Sequence, residues 1–271
     1  MIYTDGSQIN LGKYKRFFAF GCSFTGYRWP TWADILHWQM PHAEYYNYGR
    51  SGAGQQYIFT QLNQAINHFD IGEGDLVAIM WSTFYREDRY MYNRGFHHNW
   101  STPGNLFTAR HAVPQEYVDN YVCTRGFTIR DMALIDMSMR VLEGLSADSF
   151  AMLGVPVEEQ HGYAGVDEST SPDTTDVIEM YSDTLQNKLM PSLMSTQYPN
   201  GWTNEYKYFD DGMQSEFADY HPSVVGYLEY LKKLGFRFDE EVVEAAIQEH
   251  DRLMSVTHKS QLTEDIRCTI L

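Results

Sequence analysis

Cysteine is scarce: the 271-residue chain has three, Cys22, Cys123 and Cys268, an odd number at wide spacing with no CxxC pair. That argues against a disulfide framework and a zinc knuckle, and it points to a reducing compartment. Basic residues are short as well. Lys and Arg number 20 against 36 Asp and Glu, a formal charge of −16 at pH 7. A surface of that sign repels phosphate backbones and anionic bilayers, so neither nucleic acid nor membrane is an expected partner. Nowhere do about 18 uncharged apolar residues follow one another. The opening MIYTDGSQINLGKYKRFF carries early polar residues and no apolar run of signal-peptide length. The expectation is a cytoplasmic protein, with incorporation into a virus particle as an alternative that needs no signal. There is no internal repeat. The stretch GRSGAGQQ has Gln55 where a P-loop needs lysine, which excludes that phosphate cradle.

What is present is apolar and aromatic: 43% hydrophobic residues, 15% aromatic, with 20 Tyr and 6 Trp, enough for a well-buried core. The length suits one domain over residues 1–271. Phe17 to Phe20, stopped by Gly21, predicts a strand buried on both faces. TWADILHWQM predicts a helix capped by Thr31, with Trp32, Ile35, Leu36 and Gln39 near one face. AEYYNYG predicts a second strand ending in the turn GRSGAG, and QQYIFTQLNQAINHF a second helix through Ile58, Leu62, Ala65 and Ile66. Leu76 to Trp81 predicts the central strand. Strand, helix, strand, helix, strand implies right-handed crossovers and a parallel sheet.

Further on, residues 85–114 show little periodicity and predict a long loop. Met132, Ile135, Met139 and Leu142 predict a helix with one apolar face, followed by a strand in SFAMLGVPV. Residues 158–206 are expected as an insertion, acidic over Glu158 to Asp183 and there a flap rather than core. HPSVVGYLEYLKKLGF predicts a helix with Pro222 in its first turn. DEEVVEAAIQEHDRLM predicts an extra C-terminal helix at about 239–254, outside the domain or against a second subunit.

Ligands of a parallel sheet gather beyond the carboxyl ends of its strands, here the loops GCSFTG, GRSGAG and STFYRED. A serine in the first such turn exposes its hydroxyl while backbone N–H groups converge beside it, an oxyanion hole in outline. A hydroxyl needs a base with an orienting partner. FADYHPS supplies both: Asp219 and His221 project to one side of an extended segment, and Pro222 keeps His221 out of helical geometry. Cys22, beside Ser23, is expected to turn inward. His97 and His98 lack a carboxylate or cysteine at useful spacing, so no metal and no cofactor is expected. Trp81 and Tyr85 fit a pocket wall and a packed core equally.

FGCSFT, NYGRSGAG and DYHPS, in this order, resemble the first, second and terminal blocks of the SGNH (GDSL-like) hydrolases. The resemblance implies a three-layer α/β/α sandwich with a mainly parallel, flavodoxin-like sheet, and ester or acyl hydrolysis. By match Ser23 is the nucleophile, Gly52 an oxyanion N–H donor, His221 the general base and Asp219 its orienter. Residues 85–114 and 158–206 are not covered. Two departures stand out. The family's Gly-x-Asn-Asp block is replaced by MWSTFYRED, leaving Ser82, Thr83 and Arg86 as substitute donors. The Asp/His spacing is one residue narrower than usual, leaving Asp210 and Asp211 as alternatives to Asp219. The implied function is a serine esterase acting on small-molecule or glycan esters, carbohydrate O-acetyl groups by preference. The rival is a non-catalytic binding or structural module, with virion association as one form of it; a homo-oligomer or a virion assembly is the expected partner state besides the substrate.

Overall fold

The computed structural model describes residues 1–93, 96–108, 113–166, 171–200 and 206–262. The chain begins with β1 (Ile2–Tyr3), then β2 (Arg16–Gly21), α1 (Trp32–Trp38), β3 (Glu44–Gly49), α2 (Gln55–Phe69) and β4 (Asp75–Trp81). Phe17 to Phe20 are fully buried, which requires layers on both faces of the sheet. Thr31 starts α1 as predicted, in a capping box: the Thr31 N–H donates to Asp34 Oδ2 at 2.7 Å. β2 and β3 lie in parallel register, stacking Phe17 on Tyr45, Phe18 on Tyr46 and Phe20 on Tyr48 at 4.8–5.4 Å between ring centres. Aromatic residues that bury so much area fix this edge of the sheet firmly.

A hairpin follows, β5 (Arg89–Asn93) and β6 (Phe96–Ser101), then α3 (Gln115–Tyr121), α4 (Thr124–Glu143) and β7 (Asp148–Leu153). Short helices α5 (Gln160–Ala164), α6 (Thr175–Met180), α7 (Ser182–Asn187) and α8 (Leu193–Gln197) lead to a second hairpin, β8 (Tyr206–Asp210) and β9 (Ser215–Asp219). The last long helices are α9 (Val224–Lys233) and α10 (Glu240–Ser255).

The central sheet has the order β3-β2-β4-β7-β1, and every pairing is parallel. Leaving β1 aside, this is the doubly wound 2-1-3-4 order, with the amino-terminal strand in the fifth place. One layer holds α2 against α4; the other holds α1 against α9, with α10 packed on both. The architecture is therefore the expected α/β/α sandwich. The winding reverses at β2, so the crevice at the carboxyl ends of β2 and β4 is where ligands of such sheets bind.

Several expectations need correction. The loop expected over 85–114 contains the β5–β6 hairpin, whose sequences RYMYN and FHHNWS lack the apolar alternation that marks a half-buried strand. The expected insertion at 158–206 is built from short helices, and its end is core: Leu189, Met190, Leu193 and Met194 are buried, and the Met190 N–H donates to Ala151 O of β7 at 2.8 Å. β1 comes from a polar opening and was not foreseen; two residues carry no periodicity. Pro222 lies ahead of α9, where Ser223 is the cap and accepts from the Gly226 N–H.

Candidate active site

Three loops close on one another at the carboxyl end of the sheet. After Gly21 the chain folds back, with the Thr25 and Gly26 N–H groups both donating to Cys22 O at 2.9 and 3.1 Å. Glycine is required at both contact points of the first two loops: a side chain on Gly21 would collide with Thr25, and one on Gly49 with the Gly26 backbone. The Arg50 N–H donates to Gly21 O at 3.1 Å, and Asn47 Nδ2 donates to Thr25 O at 2.9 Å, which locks the two loops together. Gly52 sits at φ +76°, and a Cβ there would also strike Thr102 O of the segment after β6. Its backbone is thus pinned under the hairpin. Among the described residues neither the Ser23 nor the Gly52 N–H is paired, as an oxyanion hole requires. Cys22 is buried as expected, and Ser23 is 7% exposed.

Asp219 ends β9 and His221 stands in the turn ahead of α9. His221 Nδ1 donates to Asp219 Oδ1 at 2.6 Å, and the His221 backbone N–H donates to the same oxygen at 3.0 Å. A carboxylate only accepts, so the ring proton sits on Nδ1 and Nε2 is left as the basic nitrogen. The second carboxylate oxygen, Oδ2, accepts from Tyr27 Oη at 2.6 Å and from Tyr208 Oη at 3.1 Å. Burial works against ionising Asp219, but the imidazole, the Tyr27 hydroxyl and the His221 N–H outweigh it and hold the carboxyl below its usual range. Burial, and then the Asp219 charge, push both phenols well up.

The Ser23 loop and the Asp219–His221 turn meet across almost the whole sequence. The Phe24 ring lies edge-on to the His221 ring at 5.5 Å, Tyr27 stacks on it at 3.7 Å, and Trp29 Nε1 donates to Pro222 O at 2.9 Å. No hydrogen bond joins Ser23 Oγ to the imidazole among the described residues. Such bonds are often long without substrate and tighten when it binds.

In the third loop the predicted substitutes separate. Ser82 Oγ is buried and unpaired, while Ser82 O accepts from Gln55 Nε2 at 2.8 Å. Thr83 Oγ1 accepts from Arg86 Nε at 2.8 Å, so it anchors the arginine. Arg86 Nη1 donates to Ala53 O at 3.0 Å, beside Gly52, and no carboxylate of the described residues pairs with the guanidinium. Tyr163, itself exposed, lies near enough to Arg86 and Cys22 to feel both. The structure therefore brings Arg86 to the Gly52 turn, with the Thr83 hydroxyl engaged by that arginine and the Ser82 hydroxyl buried and unpartnered.

Asp210 and Asp211, the alternatives to Asp219, point elsewhere. Asp210 pairs with Lys259 at 2.7 Å and Asp211 with His258 at 3.0 Å. Trp81 is fully buried core, and Tyr85 is buried at φ +63°, a left-handed conformation unusual for a side chain of its size. His161 stacks on Tyr85 at 5.5 Å along a cavity of about 530 Å³, which Ser23 and His221 do not line. The side chains of His97 and His98, and all of Cys268, lie outside the described residues. No group of three metal-ligating side chains occurs among the described residues, and no helix there is long and apolar enough to cross a membrane. Tyr27, Tyr208 and Trp29 were missed. The only signal in the sequence was the aromatic density of GYRW just after the serine turn.

No protein-family model matches the chain, and no curated protein matches it in sequence. Solved structures similar to it include a lipolytic protein of the G-D-S-L family from Desulfitobacterium hafniense, 13% identical with a TM-score of 0.43, covering 81% of this chain and 97% of that one. Another is a catalytic mutant of an acetylxylan esterase from Geobacillus stearothermophilus, 13% identical at 0.42, covering 84% and 98%. A third is an alpha/beta hydrolase enzyme from a Lake Arreo metagenome, 12% identical at 0.42, covering 82% and 95%. By its own strand order the chain is a doubly wound, flavodoxin-like α/β/α sandwich, with the serine loop after β2 and the Asp/His turn ahead of α9 packed together.

Proposed function

We propose that the protein is a serine esterase whose nucleophile is Ser23. Ser23 Oγ attacks the ester carbonyl while His221 Nε2 takes its proton; Asp219 holds the ring tautomer and stabilises the imidazolium. The Ser23 and Gly52 N–H groups and the Arg86 guanidinium face the oxyanion, with Arg86 replacing the side-chain amide that this chain lacks. His221 then protonates the leaving alcohol, and water, activated by the same ring, hydrolyses the acyl-enzyme. The observation that carries this reading is the joined Asp219–His221 pair lying against the Ser23 loop through Phe24, Tyr27 and Trp29.

Carbohydrate O-acetyl esters are the preferred substrates, since the loops around the crevice are aromatic and polar. The acidic chain favours a neutral or cationic acceptor over lipid surfaces and nucleic acid. Turnover of p-nitrophenyl acetate tests the reading: the wild type is expected to hydrolyse it, and Ser23→Ala and His221→Ala each to fall to background. Equal rates in all three proteins would refute it. The rival reading, a non-catalytic module that assembles with copies of itself or in a virus particle, is favoured by the missing amide donor and by the unmade Ser23–His221 hydrogen bond.

A further inference from the structure

We propose that Tyr27 is a positioning residue that ties the nucleophile loop to the Asp219–His221 pair. The inference rests on the esterase reading and adds to it a residue with no counterpart in the sequence blocks that suggested that reading.

Tyr27 follows Ser23 by four residues on the same loop, yet its hydroxyl reaches 192 positions along the chain to Asp219 Oδ2 at 2.6 Å. Its ring lies 18° from parallel to the His221 ring, with centres 3.7 Å apart. One side chain therefore fixes both members of the pair, the carboxylate by a charge-assisted hydrogen bond and the imidazole by its face. The ring of Trp29 stands edge-on to Tyr27 at 4.5 Å, and its indole N–H is held by Pro222 O, so the phenol has little room to swing away. Tyr208 donates to the same carboxylate oxygen, but from β8, and has no chain connection to Ser23. Tyr208 thus supports Asp219 alone, while Tyr27 sets the serine loop against it.

The other groups around the pair are Tyr206 and Tyr227, both of which sense Asp219, and Arg28, which acts on Tyr27 and Tyr208. The hydrogen bond from Tyr27 favours the ionised carboxylate, so removing it moves protonation of Asp219 to higher pH. A protonated Asp219 no longer holds the imidazole in place, so this carboxyl bears on the acid limb of the pH–rate profile.

The test compares Tyr27→Phe, which keeps the ring, with Tyr208→Phe. Tyr27→Phe is expected to lower the plateau kcat for p-nitrophenyl acetate about tenfold with little change in KM, the size of one hydrogen bond to a charged group. Its acid limb should move to higher pH, and amide hydrogen exchange over residues 22–31 should quicken while the β2 and β4 amides stay protected. Tyr208→Phe should move the limb in the same direction without quickening exchange in 22–31. The proposal is overturned if folded Tyr27→Phe matches the wild type in exchange over 22–31, or if Tyr208→Phe loosens that loop equally. Exchange needs no turnover. A wild type without esterase activity would refute the esterase reading, while the exchange result would still decide whether Tyr27 holds the loop.

Discussion

Arg86 is the residue on which the chemistry departs furthest from the SGNH pattern. Its guanidinium is held by Thr83 Oγ1 and Ala53 O, next to the Gly52 turn, in a chain where most other cations pair with carboxylates. A donor aimed at a developing oxyanion contributes to the transition state and little to the ground state. Arg86→Ala is therefore expected to lower kcat by about 100-fold to 1,000-fold, with KM nearly unchanged, in steady-state kinetics on p-nitrophenyl acetate. An equal loss in KM would place Arg86 in substrate binding instead. Ser23, His221 and Asp219 stood out in the sequence as candidates because a small turn after an apolar strand and an Asp-x-His-Pro string each carry a physical reason. Tyr27 and Tyr208 were not. Their role depends on which carboxylate oxygen they meet, and that is decided by contacts across the chain.

The elements that sequence foretold are those with a burial rhythm. β2, β4, α2 and α4 follow their apolar spacing, and Thr31 marks the start of α1. The hairpins were hidden because each is anchored by something other than its own pattern. β8–β9, which delivers Asp219, is clamped by the segment after α10: the Phe209 N–H donates to Thr257 O at 2.8 Å, and Lys259 and His258 pair with Asp210 and Asp211. Lys259 holds the Asp210 carboxyl below its usual range. Lys259→Ala is expected to loosen the hairpin, seen as faster amide exchange over β8 and β9 while the central sheet stays protected. Unchanged exchange there would show that the backbone bridge suffices. Gly52 belongs to this scale too. Gly52→Ala has both a strained φ and a collision with Thr102, so it should displace the hairpin and lower kcat and melting temperature together.

At the scale of the whole molecule, the fold brings residues near the beginning and near the end of the chain to one crevice, at the point where the winding of the sheet reverses. Two carboxylates, one in the crevice and one in the core, set the response of the molecule to pH in opposite senses. Asp219 is held below its usual range, so its contribution to stability is present above the unfolded value and lost as pH falls through the folded one. Asp131 is fully buried beneath Tyr85, and burial pushes it up to about 7 against the pull of Arg130. Its contribution is present at low pH and lost as pH rises from the unfolded value, about 3.9, toward 7. The melting-temperature advantage of the wild type over Asp131→Asn should therefore shrink between pH 4 and pH 8; an advantage that grows would reverse the assignment. The sandwich itself was readable because four of the five sheet strands and their crossovers obey simple periodicity. The convergence of the loops was readable only as a rule about where such sheets bind ligands.

That convergence is tested most directly by mapping a fluorophosphonate adduct by mass spectrometry in the wild type, Ser23→Ala and His221→Ala. The expected result is a single adduct on Ser23 in the wild type, none in Ser23→Ala, and a much slower reaction in His221→Ala. No adduct on the wild type, or an adduct on another residue, would contradict the account.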